Sequence, residues 1–147
     1  MTGSSGHLIR RFVGSLSRRE PNESDVAWVA ARLAAGELAL WSSMPVADRR
    51  HSLLVARRLV AAVADVPPEI VAAALLHDVG KIECGLGTWG RVIATMVGPR
   101  GDRFRRYHAH EEIGADMAAA AGSAPATVAA IRGLGPFAAR LRDADDV

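Results

Sequence analysis

Apolar residues recur at helical spacing along most of the chain. In LIRRFVGSLSRR, residues 8–19, Leu8, Ile9, Phe12, Val13 and Leu16 share one face and arginines the other. That pattern predicts a peripheral helix lying on the core. Its functional reading is contact with an anionic membrane surface or an acidic partner. Residues 21–41 predict a second helix, opened by a Pro-Asn-Glu-Ser-Asp turn and carrying Trp28, Leu33, Leu38 and Trp41. Pro45 permits a new start. From Val46 to Ala64 the pattern is strongly periodic, with Leu53, Leu54, Leu59, Val60 and Val63 apolar and His51 near the N-terminal end. Asp65 is a candidate cap for the next helix, Pro67-Pro68 opens it and Glu69 sits in its first turn. That helix is expected to run from Glu69 to about Val79, with Gly80 as its C-cap.

Beyond Gly80 the pattern changes. Gly85, Gly87 and Gly90 mark loop, Arg91 to Val97 a short helix, and GPRGDRFRR, residues 98–106, a basic loop. A longer helix is expected from Tyr107 to Ala121, containing His108, His110, Glu111 and Asp116. Ala126–Ile131 and Phe137–Asp146 complete the set, separated by the breaker run Gly133–Pro136. There is no internal repeat and no long linker.

Composition sharpens this picture. A chain of 147 residues favours one structural unit, read as N-terminal helices over 1–45 packing on a domain over 46–147. Hydrophobic residues make up 50% but aromatics only 5%, so the core must be built from Ala, Val, Leu and Ile. Alanine favours helix, and an all-α fold is expected. The net charge of +2 is too mild to call for a nucleic-acid partner. Cys84 is the single cysteine, so there is no internal disulfide framework, and a reducing cytoplasm is the default location. The N-terminus lacks a signal-peptide pattern, and Asp65 with Pro67-Pro68 interrupts the longest apolar stretch, so no transmembrane segment is expected.

Candidate chemistry concentrates in ALLHDVGK, residues 74–81. There an apolar helix ends in an imidazole, a carboxylate and an ammonium. A carboxylate in the last turn of a helix opposes the macrodipole, and a bound cation would remove the conflict at Asp78. Lys81 is the only lysine among 18 basic residues, and it could reach an anion held by that cation. His51, on the preceding helix, offers a further imidazole. Two imidazoles with carboxylate oxygens suit Mn, Fe, Co, Ni or Zn better than Ca or Mg.

RRHSLLVARRL, AAALLHDVGK and HAHEEIGADM together resemble the HD-domain metal-dependent phosphohydrolases, over roughly residues 46–147. The resemblance implies a compact bundle of helices with the metal held between them. It implies His51, His77 and Asp78 as metal ligands, with a fourth ligand from a late Ala-Asp. Asp145 matches, and Asp143 and Asp146 are its neighbours in the same run. His110 matches a histidine that binds a second metal in two-metal members. Those members carry a His-His pair where this chain has Ile131-Arg132-Gly133-Leu134-Gly135, which favours a one-metal site and leaves His110 as a substrate contact or proton donor.

The expected activity is hydrolysis of a phosphomonoester, a nucleotide or a cyclic nucleotide. Asp78 would bind the ion and orient a water, Lys81 would neutralise phosphate charge, and His110 would protonate the leaving oxygen. Spacing selects no general base among Glu83, Glu111 and Glu112. Arg100, Arg103, Arg105 and Arg106 are candidates for further phosphate contacts, and Trp89 for a pocket wall. The competing reading is a catalytically silent HD domain that binds a ligand or serves in signalling.

Overall fold

The computed structural model describes the backbone of residues 19–81 and 102–146 and the side chains of residues 19–80 and 110–146. Among the described residues there are seven α-helices, one 3-10 turn and no strand. They are α1 (Glu23–Ala30), α2 (Ala35–Ser42), α3 (Val46–Ala62), α4 (Pro68–Leu76), the turn Val79–Lys81, α5 (Asp102–Ala120), α6 (Pro125–Ile131) and α7 (Ala138–Asp146). The all-α expectation holds. The helix expected over 8–19 lies outside the described residues but for Arg19. Also outside them are the short helix over 91–97, Glu83, Cys84, Trp89 and Arg100.

α4 is the centre of the bundle. Every residue from Ile70 to Leu76 is buried, so the helix is apolar on all sides, as a helix surrounded by others must be. It packs against α3, α6 and α2, while α3 also packs on α7 and α5 on α6. Pro67 and Pro68 start it without loss of a hydrogen bond, because the first N–H groups of a helix have no partner within it. Asp65 is not its cap. It sits in a left-handed turn at φ 55°.

Three further expectations are corrected. The single helix over 21–41 is two. The Glu37 carboxylate accepts the Ala34 N–H at 3.0 Å, opening a new helix there. It also accepts the Ser123 hydroxyl at 2.7 Å, which ties α2 to the turn after α5. A Cβ at Gly36 would collide with the Ala121 carbonyl oxygen, so the two backbones meet directly. In the second correction, α4 ends at Leu76 rather than Val79. Gly80 is not a left-handed cap; among the described residues the left-handed glycines are Gly122, Gly133 and Gly135. In the third, Arg103, Arg105 and Arg106 belong to the first turns of α5 and not to a loop.

On α3 the apolar stripe is narrower than its composition suggests. Leu53, Val55, Ala56 and Leu59 are buried, whereas Leu54 and Val60 are 47% and 42% exposed. Trp41 is buried beside this helix and its indole N–H donates to the Ser52 hydroxyl at 3.0 Å, satisfying two polar groups inside the core. Leu75→Ala, at the centre of the bundle, should cost about 2–5 kcal/mol of unfolding free energy. Leu54→Ala should stay within about 0.5 kcal/mol of the parent. Urea unfolding followed by circular dichroism measures both.

Candidate metal centre

The early end of α4 decides the local geometry. His77 is its C-cap, so its side chain lies beside carbonyls that lack intrahelical partners. His77 Nδ1 donates to the Ala74 carbonyl at 2.7 Å. A carbonyl can only accept, so Nδ1 carries the proton and Nε2 points away with its lone pair. Asp78 follows in the turn, past the last α-helical residue. The conflict with the dipole inferred from the sequence is therefore one of position at the helix end, not within its final turn.

Around His77 Nε2 the fold gathers carboxylates from distant parts of the chain. Asp78 Oδ2 is 3.4 Å away and Asp145 Oδ1, on α7, is 3.5 Å away. Nε2 is buried and makes no hydrogen bond to either. His51, from α3, brings its Nε2 to 2.7 Å from Asp145 Oδ1 and 4.0 Å from Asp78 Oδ2. Ligand atoms of His51, His77 and Asp145 all lie within 4.8 Å of one another. Donor atoms about 2 Å from a shared ion stand roughly 3 Å apart, and the separations here scatter about that value. Of the three late aspartates, Asp145 is the one turned to the histidines; Asp143 and Asp146 are exposed.

The electrostatics of the cluster favour a cation. A lone pair on neutral His77 Nε2 would face two negative oxygens. Burial works against charging the ring, yet the Asp78 carboxylate, Asp145 and the bond to Ala74 outweigh it and raise its pKa from 6.5 to about 9. Burial likewise works against charge on Asp145, but His51 and His77 hold its carboxyl well below the usual carboxylate range. A proton on His77 is one way to supply the positive charge. A divalent ion would be another: the ligand atoms of His51, His77 and Asp145 group together, and such a nitrogen and oxygen donor set fits a transition metal.

His110 stands apart from this group. Its Nε2 is 3.8 Å from Asp78 Oδ1, the oxygen opposite the one that faces the other two histidines. Its position follows from backbone contact. The 3-10 turn lies against α5, and a Cβ at Gly80 would overlap the His110 carbonyl and stand 2.9 Å from the Gly114 nitrogen. Lys81 closes the turn in sequence, and its side chain lies outside the described residues. Glu112 is directed to Arg132 at 3.3 Å, and the Glu111 carboxylate lies over Gly133, 3.5 Å from where a Cβ would stand. Where two-metal relatives would carry a His-His pair, Ile131 is buried. Arg132 next to it pairs with Asp116 at 2.8 Å as well as with Glu112. Sequence reasoning did not single out the Ala74 carbonyl or Gly114; neither has a side-chain signature that would reveal it.

A family model for the HD domain matches residues 49–135, more than half of the chain. The chain belongs to the HD-domain family. No curated protein and no solved structure matches it. The matched region contains His51, His77, Asp78 and His110, while Asp145 lies beyond it. No helix among the described residues is long and apolar enough to cross a membrane.

Two measurements follow from this geometry. Because the folded-state pKa of His77 lies above its unfolded value, its contribution to stability is fully present below pH 6.5 and is lost as the pH rises towards 9. Asp145 has the opposite sign, contributing above the usual carboxylate range and less as the medium becomes acidic. The metal-free protein should therefore unfold at lower urea concentration at pH 9 than at pH 6.5, and His77→Gln should flatten that dependence. Separately, Gly80→Ala should push α5 away from the turn. Any bound metal should be retained, because none of His51, His77, Asp78 and Asp145 is on α5, while any hydrolytic activity that needs His110 should fall at least tenfold. Elemental analysis and turnover assays on the same preparation separate the two.

Proposed function

We propose that this chain is a one-metal phosphohydrolase acting on a phosphomonoester, a nucleotide or a cyclic nucleotide. The observation that carries the reading is His77 Nε2, buried, fixed in orientation by Ala74 and aimed at two carboxylates. In a structural histidine this nitrogen would be expected to have a hydrogen-bond partner.

His51, His77, Asp78 and Asp145 would hold a divalent transition metal: Mn, Fe, Co, Ni or Zn. When bound, the ion supplies Lewis acidity towards a phosphoryl oxygen and lowers the pKa of a water. Asp78 turns one oxygen to the ligand cluster and the other to His110, and that second oxygen would orient the attacking water. His110 would give a proton to the leaving oxygen, and Lys81 would balance phosphate charge. The same reading takes residues 46–147 as the HD domain and 1–45 as helices packed on it. The start of the family match and the Trp41–Ser52 bond support that division. It places the chain in the cytoplasm, with residues 8–19 available for a membrane surface or an acidic protein.

One observation favours a second reading. The Ile131–Gly135 segment brings no imidazole towards His110, and its Arg132 is engaged with Glu112 and Asp116. That would suit a silent HD domain that binds a ligand without turning it over. Protein purified without chelator should contain about one transition metal per chain, lost in His77→Ala/Asp78→Ala. Turnover of p-nitrophenyl phosphate or a nucleotide should fall at least a hundredfold in the same variant. Metal without turnover on any phosphoester supports the silent domain, and absence of metal after loading with Mn or Fe overturns the enzymatic reading.

A further inference from the structure

Asp145 is poorly placed by its own helix. It lies in the last turn of α7, in the run Asp143-Ala144-Asp145-Asp146. Negative charge at a helix C-terminus opposes the macrodipole, and the carbonyls there have no intrahelical partners. α7 therefore needs support from elsewhere if Asp145 is to keep its position against His51.

That support comes from α3. Arg58 follows His51 by seven residues, two helical turns, and so lies on the same side of α3. Its guanidinium Nη1 donates to the Ala144 carbonyl at 3.4 Å. Ala144 immediately precedes Asp145 and is buried. One face of α3 thus reaches the end of α7 twice, through His51 to the Asp145 carboxylate at 2.7 Å and through Arg58 to the adjacent backbone. The guanidinium also brings positive charge to the helix end where the aspartates concentrate. The neighbouring Arg57 points elsewhere, to Asp25 on α1 at 2.8 Å.

We infer that Arg58 is a positioning residue for the metal site: it holds the C-terminal end of α7 so that Asp145 can act as a ligand. This rests on the metal reading given above. The test is titration of the metal-free protein with Co2+, followed by visible absorption, together with amide hydrogen exchange of residues 141–146. Arg58→Ala should weaken Co2+ binding by about ten- to a hundredfold, alter the ligand-field bands and speed exchange at the end of α7. Arg58→Lys, which restores a charged donor, should recover most of the affinity, and Arg57→Ala should change neither signal. Should Arg58→Ala fail to fold, Arg58→Gln keeps a donor without the charge, and a loss of affinity between those of the parent and the Asp145→Asn variant is expected. Unchanged Co2+ affinity in a folded Arg58 variant overturns the inference, even if exchange accelerates, since Arg58 would then only cap the helix. A parent chain that takes up no Co2+ overturns the metal reading itself, and this role with it, before any variant is compared.

Discussion

The hydrogen bond from His77 Nδ1 to the Ala74 carbonyl is the constraint on which the site depends. It forms because α4 stops at Leu76 and leaves that carbonyl available. It fixes the ring and its tautomer, so the second nitrogen must face inward. Everything else in the cluster is arranged around that inward nitrogen: Asp78 from the following turn, and His51 and Asp145 from helices that pack on the central bundle. A side chain held this way has little freedom to find another partner. The requirement for positive charge is then built into the fold rather than brought by a flexible group.

Backbone contact does comparable work on the other side. Gly80 and Gly114 let the turn and α5 approach without side chains between them, and this sets the position of His110 against Asp78. Gly36 and the Ala121 carbonyl form a second such contact, reinforced by the buried Glu37 and the Ser123 hydroxyl. These contacts tie the middle of α5 to the 3-10 turn and its C-terminal end to α2. The second accompanies a departure from periodicity, the break before α2.

Helical spacing made most helices of the described chain legible, because a 3.6-residue repeat in an alanine-rich sequence has few other outcomes. The boundaries were less so. The break after Ala30 rests on a local contact, the Glu37 carboxylate accepting the Ala34 N–H, and on a distant one, the Ser123 hydroxyl donating to the same carboxylate. His51, His77 and Asp78 stood out because polar groups interrupted apolar helices. Asp145 was indistinguishable from Asp143 and Asp146 by spacing alone, and its selection came from the family pattern. In space the three differ plainly, since α7 turns only Asp145 to His51. Arg58 was invisible in the same way, one arginine among 17, because its role lies in a backbone oxygen 86 residues away.

The separation of 94 positions between His51 and Asp145 has a consequence for biosynthesis. During translation the nascent chain displays His51 first, then the His77-Asp78 doublet, then His110, and Asp145 last. Until α7 has been made and docked, the earlier groups lack the carboxylate that closes the cluster. Closure of the cluster is therefore deferred until α7 has been made and has packed against α3.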